Sequence, residues 1–517
     1  MKKNVKVLLL ICVTVLILVL VGYFYFQGMK TMDHSTTSKK TTTKVSTLRQ
    51  AEFTLTAQQS NLEVLPDKFL PVWTYNNSVP GPEIRVKQGD TVKITLKNEL
   101  PEPVSIHWHG VPVPNDMDGI PGVTQDSVKP GDSFTYQFKT DVSGTYWYHS
   151  HQDSAAQVDK GLYGAFIVEA VDGKVDRDYT LVLDEWISTA ATPMNKNKTE
   201  NKPMDHSKMS MRGQSNTQSK MGMGKDMGDD MSMYDLYTIN GKSGSLVEKL
   251  LVKQGEKVRI RLINAGYKSH QIHLHGHEFA ITTTDGQPIN KPKKLKDKLI
   301  SIAPGERYDI EFEANQSGQW NLEDHGDGVF VKGMKALIQY EGSNEINDQP
   351  NETVKLAKVD MTQYGDKSQA PFTLDQKFTL EYSMNLNTEK NNGETVFTIN
   401  GKTFPNTDNL QVNKGDTIKV RFVNNSKIED HPMHLHGHFF QVLSKNGKPI
   451  EGASLMKDTL NVKPGEEYVV AFMADNPGNW MFHCHDLHHA SAGMTTELKY
   501  TDFKSNYVVD PKADNKH

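Results

Sequence analysis

Residues 398–438 read TINGKTFPNTDNLQVNKGDTIKVRFVNNSKIEDHPMHLHGH, and recognisable versions of this text stand at 79–110, VPGPEIRVKQGDTVKITLKNELPEPVSIHWHG, and at 238–277, TINGKSGSLVEKLLVKQGEKVRIRLINAGYKSHQIHLHGH. Each version has a downstream companion that also repeats: SVKPGDSFTYQFKTDVSGTYWYHSH at 127–151, SIAPGERYDIEFEANQSGQWNLEDH at 301–325 and NVKPGEEYVVAFMADNPGNWMFHCH at 461–485. The chain is a triplicate. Within each copy apolar and polar residues alternate, as in TVKITL, KVRIRLI and TIKVRFV, and the runs are bounded by K-x-G-[DE] (NKGD in the third copy) and P-G-[DE] turn signals. Such half-buried strands predict an all-β protein, a sandwich or Greek-key barrel built three times over, with copies at 49–178, 179–345 and 346–510.

Upstream of the repeats, two lysines precede an apolar run from Val7 to about Phe26, long enough for a bilayer-spanning helix. No A-x-A-like site closes the run, which favours an uncleaved anchor over a removed signal within residues 1–28. A Thr-, Ser- and Lys-rich linker at 29–48 then leads to a folded body expected outside the cytoplasm. Only Cys12 and Cys484 occur, and Cys12 falls in the apolar run, so no disulfide framework holds the exported part together. The net charge of −5 gives no reason to expect a nucleic-acid partner, whereas 20 histidines and 21 methionines stand out.

The histidines gather at the same two places in each copy. In the first they are His107 and His109 of HWHG, then His149 and His151 of YHSH; in the third, His431, His434 and His436, then His483, His485 and His489. An H-x-H pair in a strand points both imidazoles to one face, because side chains alternate with period two. A single pair is commonly an ordinary surface feature, and HCH alone would also suit zinc. Four pairs at repeat-equivalent positions, supplying eight imidazoles, are too many for one tetrahedral ion, although imidazole by itself does not name the metal. Cys484 narrows the choice. It points opposite to His483 and His485, toward whatever His431 and His489 reach, with Met494 five residues beyond His489. Two imidazoles, a thiolate and a weak thioether make a blue-copper electron-transfer site, which its own backbone would wire to the neighbouring histidines.

On the motifs HWHG, YHSH, HPMHLHG and HCHDLHHASAGM the sequence resembles the three-domain multicopper oxidases, which include laccases, ascorbate oxidase and bacterial copper-tolerance oxidases, over essentially all of residues 50–505. The resemblance implies three cupredoxin-like domains and four copper ions. It implies type 1 copper at His431, Cys484, His489 and Met494, type 2 copper at His107 and His434, and a type 3 pair at His109, His149, His151, His436, His483 and His485. The implied reaction is one-electron oxidation of a reductant, four times over, with dioxygen reduced to water. Asp118, in NDMDG, matches an acid that relatives use to deliver protons near type 2 copper, making it a catalytic expectation alongside Cys484, His483 and His485. A second acid of those relatives is replaced by Ala490. The first copy has Ser150 in place of Cys484, so it offers cluster ligands but no thiolate. The middle copy keeps His270, His273 and His275 but has Glu323, Asp324 and Val329 where His483, Cys484 and His489 belong, and is expected to be a domain that lost its site.

The reductant is suggested by a methionine-rich insertion at 188–233, which includes MDHSKMSM and nine methionines among Gly, Ser, Lys, Asp and Asn. Without helical or strand periodicity these are no core stripe, and thioethers are soft ligands that select Cu(I). The expected role is oxidation of Cu(I) to Cu(II), with Met209 and Met211 in the capturing loop. Glu429 and Asp430 would form a docking site ahead of His431, with His488 a further neighbour. The principal alternative is a laccase-like oxidase of phenols or aromatic amines; a copper store without turnover and a copper nitrite reductase would leave the cluster ligands without purpose.

Overall fold

The computed structural model describes residues 50–171, 173–188, 192–193, 233–326, 333–343, 345–347 and 355–516. The apolar run before residue 50, Met209 and Met211 of the insertion, and Val329 lie outside them. Among the described residues the chain is all-β, with two short α-helices, Ser154–Asp159 and Leu487–Ser491, and no helix long and apolar enough to cross a membrane.

The alternation seen in sequence is the alternation of burial. In Thr91–Asn98 the even steps Val92, Ile94 and Leu96 are fully buried, and in Thr417–Asn424 Ile418, Val420 and Phe422 occupy the same places. The turns before these strands, KQGD, KQGE and NKGD, need glycine, because Gly89, Gly255 and Gly415 all have φ near +85 to +91°, a region closed to most L-residues.

Among the described residues six sheets follow, two per copy, with one pairing plan repeated three times. In the first sheet of each copy a long strand runs parallel to the alternating strand, which then pairs antiparallel with the strand after the P-G turn. These trios are Gln50–Leu65, Thr91–Asn98 and Ser133–Lys139; Arg177–Trp186, Lys257–Asn264 and Arg307–Glu313; and Leu380–Asn391, Thr417–Asn424 and Glu467–Met473. In the second sheet the two histidine-bearing strands are neighbours. His107–His109 pairs with Gly144–His149, His270–Leu274 with Gln319–Asp324, and His431–Leu435 with Asn479–Cys484, all antiparallel. Segments 40 to 50 residues apart in sequence therefore bring their histidines side by side.

The copies also exchange short pieces. Thr192–Pro193 pairs with Lys68–Tyr75 of the first copy, and Ala357–Lys358 adds parallel to Lys298–Ile302 of the middle one. The C-terminal tail returns to the first copy, where Tyr507 Oη and Asn515 Nδ2 donate to Asp126 Oδ1 at 2.6 and 2.9 Å and Gln152 Nε2 donates to the Asp514 carbonyl at 2.5 Å. This strap holds the first copy against the third, across the surface where their histidines meet.

Candidate metal centre

Register sets the two faces of the HCH strand. His483 lies opposite His434 and Cys484 opposite Met433, so Cys484 looks into the third copy while its neighbours look toward the first. On the inner side, Cys484 Sγ is 3.8 Å from His431 Nδ1 and 3.7 Å from His489 Nδ1, and the two nitrogens are 3.3 Å apart. Met494 is fully buried in the same core, and its carbonyl accepts from the Cys484 N–H at 3.0 Å.

The outer nitrogens of these histidines fix their orientation. His431 Nε2 lies 2.7 Å from Ser426 Oγ, which is 2.9 Å from Thr388 Oγ1, itself 3.0 Å from a Glu429 carboxylate oxygen. Thr388 Oγ1 donates within this group, to Ser426 Oγ or to Glu429, and Ser426 Oγ accepts from His431 Nε2–H in the tautomer that leaves the other ring nitrogen unprotonated. His431 Nδ1 is then a bare lone pair aimed at the cysteine. His489 Nε2 is 3.4 Å from Asp486 and its ring stacks on Phe397 at 3.8 Å between centroids. Burial pushes the Cys484 thiol well up, so the thiolate form requires a cation among these atoms.

The other face gathers eight imidazoles between the first and third copies. His107 stacks on His436 and His109 on His434, both with centroids 3.8 Å apart. Six of the eight form two trios whose nitrogens converge within 4.8 Å, His109, His149 and His485 in one and His151, His436 and His483 in the other; His107 and His434 form a third group that shares His109. Burial, reinforced by neighbouring imidazoles, pushes His109, His149, His436 and His485 well below the ordinary histidine range. They are neutral rings with lone pairs to offer. His107 Nε2, His109 Nδ1, His149 Nε2, His434 Nε2 and both nitrogens of His485 are buried with no hydrogen-bond partner. Buried polar atoms are seldom left so, and inward-aimed imidazole nitrogens in this number fit a cluster of borderline transition-metal ions.

Asp118 is the hinge of this arrangement. One carboxylate oxygen is 3.0 Å from His436 Nδ1 and the other 3.1 Å from His107 Nδ1, and the Asp118 carbonyl accepts from His107 Nδ1 at 3.0 Å. The acid thus touches one histidine from each outer copy and sets the tautomer of both. Ser150 in the first copy donates to Gln157 Oε1 at 2.6 Å, so the position equivalent to Cys484 is closed by a hydrogen bond. Glu429 and Asp430 are half-buried at the rim, with Asp430 accepting from Asn461 Nδ2 at 2.8 Å. His488 packs on Tyr267, with centroids 4.4 Å apart, and contacts the Tyr234 hydroxyl at 3.2 Å through Nε2. Ala490 lies on the short helix that carries His489.

The sequence reading missed a buried ionic frame around the imidazoles. Asp458 Oδ1 is 3.2 Å from His109 Nε2, its carbonyl is 3.0 Å from His434 Nδ1, and Thr459 Oγ1 is 3.1 Å from both rings. Arg307, from the middle copy, donates to both Asp458 oxygens, while Lys457 pairs with Asp285 at 3.0 Å and Glu306 at 3.1 Å. Two signals pointed this way: charged residues inside the apolar run SLMKDTLNV, and an arginine after the middle P-G-E where the other copies have Ser133 and Glu467. Gly305 belongs to the same frame. Its φ is +81°, and a Cβ there would sit 2.7 Å from His485 Cγ.

Comparison with known proteins places this architecture. Three family models, each described as multicopper oxidase, match residues 56–172, 177–343 and 370–503. The chain is 33% identical to Multicopper oxidase MmcO of Mycobacterium tuberculosis over 467 residues, 87% of either chain. It is 26% identical to Copper resistance protein A of Escherichia coli, with 82% of this chain and 89% of that one covered. The crystal structure of a multi-copper oxidase from Pseudomonas thermotolerans superposes with a TM-score of 0.64 at 27% identity, over 87% of this chain and 99% of the other.

Proposed function

The chain belongs to the multicopper oxidase family, and from that membership we propose that it oxidises Cu(I) to Cu(II) outside the cytoplasmic membrane. Multicopper oxidases are copper-dependent oxidoreductases whose type 1, type 2 and paired type 3 ions take single electrons from a reductant and reduce dioxygen to water. In our reading His431, Cys484, His489 and Met494 hold type 1 copper, His107 and His434 type 2, and the trios His109, His149, His485 and His151, His436, His483 the type 3 pair. Backbone and side-chain bonds join Cys484 Sγ directly to His483 and His485, so one residue links the two sites. Asp118 positions His107 and His436 and is a buried acid placed to deliver protons beside the proposed type 2 and type 3 ligands.

One observation carries the choice of Cu(I). Met233 ends the methionine-rich stretch in sequence, and the hydroxyl of the next residue, Tyr234, meets His488 Nε2 at 3.2 Å, one residue from His489. The base of the insertion is closed by Ser188, whose N–H and hydroxyl donate to Asp235 at 2.7 and 2.6 Å. Ser188, Tyr234 and Asp235, the described residues that flank this stretch in sequence, are thus held to one another and, through Tyr234, to His488 beside the proposed type 1 ligand His489. Glu429, tied to His431 through two hydroxyls, supplies the anionic rim a cuprous ion needs, with Asp430 beside it. The likeness to Copper resistance protein A agrees with this role. Oxygen uptake measured with Cu(I) and with a phenol, for the intact protein and for one lacking residues 194–232, tests it. Selective loss of the cuprous activity is expected; equal activity of both proteins on both reductants would instead favour a laccase-like oxidase of phenols or aromatic amines.

A further inference from the structure

The middle copy was expected to have lost its metal, with His270, His273 and His275 as a residual set. The structure divides that set differently. His270 is consumed: its Nδ1 is 2.7 Å from Asp324 and its Nε2 3.2 Å from Glu185, so both nitrogens face carboxylates and neither is available to an ion. His273 and His275 instead turn toward His325, the last residue of the repeat at 301–325 and no member of the expected set. His325 Nε2 lies 3.3 Å from His273 Nδ1 and 3.1 Å from His275 Nε2, and the three nitrogens converge within 4.8 Å. Glu323 Oε1 is 3.1 Å from His275 Nε2 and 3.8 Å from His325 Nε2.

From this convergence we propose that His273, His275, His325 and Glu323 form a mononuclear site for a first-row divalent cation, separate from the family's four coppers. Spacing supports it. Ligand atoms held about 2.0–2.1 Å from a tetrahedral ion stand about 3.3–3.4 Å from one another, close to the separations seen here. The donor set, three imidazoles and a carboxylate, suits Cu(II) and Zn(II), with Cu(II) ahead in the general order of affinities. Charge supports it as well: besides Glu323, Asp297 Oδ1 lies 3.8 Å from His273 Nε2, while Lys335 opposes it only from the far Glu323 oxygen, at 3.7 Å.

The repeat explains its origin. His273, His275, His325 and Glu323 occupy the places of His434, His436, His485 and His483, half of the histidine cluster with one imidazole exchanged for a carboxylate. The half that the first copy gives the third is missing, so these ligands close around one ion. His275 and His325 side chains are 13 and 18% exposed, unlike the fully buried imidazoles between the outer copies. The ion should therefore exchange with solvent.

Equilibrium dialysis of the copper-loaded protein against buffered Zn(II), and separately Cu(II), tests the site by total metal per chain. The wild type should hold one ion more than a His275→Gln/His325→Gln variant, with the blue absorption of both unchanged and, for Cu(II), an additional non-blue paramagnetic signal confined to the wild type. Glu323→Gln, which keeps the side-chain shape, should weaken retention by about tenfold and provides the reading if the double variant does not fold. Equal metal content in wild type and the folded double variant, or undiminished affinity in Glu323→Gln, would overturn the proposal.

Discussion

Arg307 of the middle copy grips Asp458 of the third through two hydrogen bonds of 2.7 and 2.6 Å, with neither side chain more than 1% exposed. Asp458 in turn touches His109 of the first copy and His434 of the third. A domain without proposed ligands to the four coppers thus steadies the histidines of the two domains that supply them. Arg307→Met would leave the Asp458 carboxylate buried without its countercharge, and such losses cost about 3–5 kcal/mol. Denaturant unfolding should show a destabilisation of that order, together with weaker retention of copper by the histidine cluster than by the cysteine site.

Gly305 tests the same frame by shape. Alanine there meets a left-handed φ of +81° and places its Cβ 2.7 Å from His485 Cγ, so His485 must move or the turn must open. Displacements on this scale lower turnover by about 10- to 100-fold. Oxygen uptake should fall accordingly while the blue band, which depends on residues behind Cys484, persists.

Cys484→Ser removes the thiolate and keeps the volume. The intense blue colour and turnover with every reductant should vanish, because the serine hydroxyl is neither a thiolate donor nor a link of comparable softness. Visible absorption and oxygen uptake check this directly, and a variant that stayed blue would sink the assignment of Cys484.

Glu429→Gln neutralises the outer end of the hydrogen-bonded series that begins at His431. With the carboxylate partly exposed, the expected loss is small, about fivefold in KM for Cu(I), equivalent to about 1 kcal/mol. The KM for an uncharged phenol should stay within error, since the anionic rim serves only a cation.

His270 gives a pH signature of the middle copy. Burial opposes its charge, but hydrogen bonds and attraction to Asp324 and Glu185 prevail and raise its pKa to about 10. A group raised on folding contributes stability that is complete below its unfolded value of about 6.5 and is lost as pH rises toward 10, at about 1.4 kcal/mol per pH unit. His270→Gln should remove this slope from the unfolding free energy between pH 7 and 9, and an unchanged slope would show that the proton is not held there.

The all-β fold and most residues of the candidate site are legible in the sequence, and for a local reason. Period-two alternation in TIKVRFV and its two counterparts is dictated by strand geometry within a few residues, and the same rule turns His483 and His485 away from Cys484. Triplication then made His107, His109, His149 and His151 comparable with His434, His436, His483 and His485 position by position. His438, the last histidine of HLHGH, marks the limit of such reading. Its Nε2 lies 2.7 Å from the Tyr500 hydroxyl, as His277 Nε2 lies 2.8 Å from Tyr340, so a motif histidine serves packing in both copies.

By itself, then, the sequence determined three strand-rich copies, eight paired imidazoles and one cysteine set between two of them. Tertiary structure alone decided that Arg307 reaches Asp458 across 151 positions, that Asp118 touches His436 across 318, and that His325 rather than His270 joins His273 and His275. The physical reason is that side-chain alternation is fixed by each residue's own backbone, whereas a contact between copies depends on how whole sheets pack, and no short run of residues encodes that.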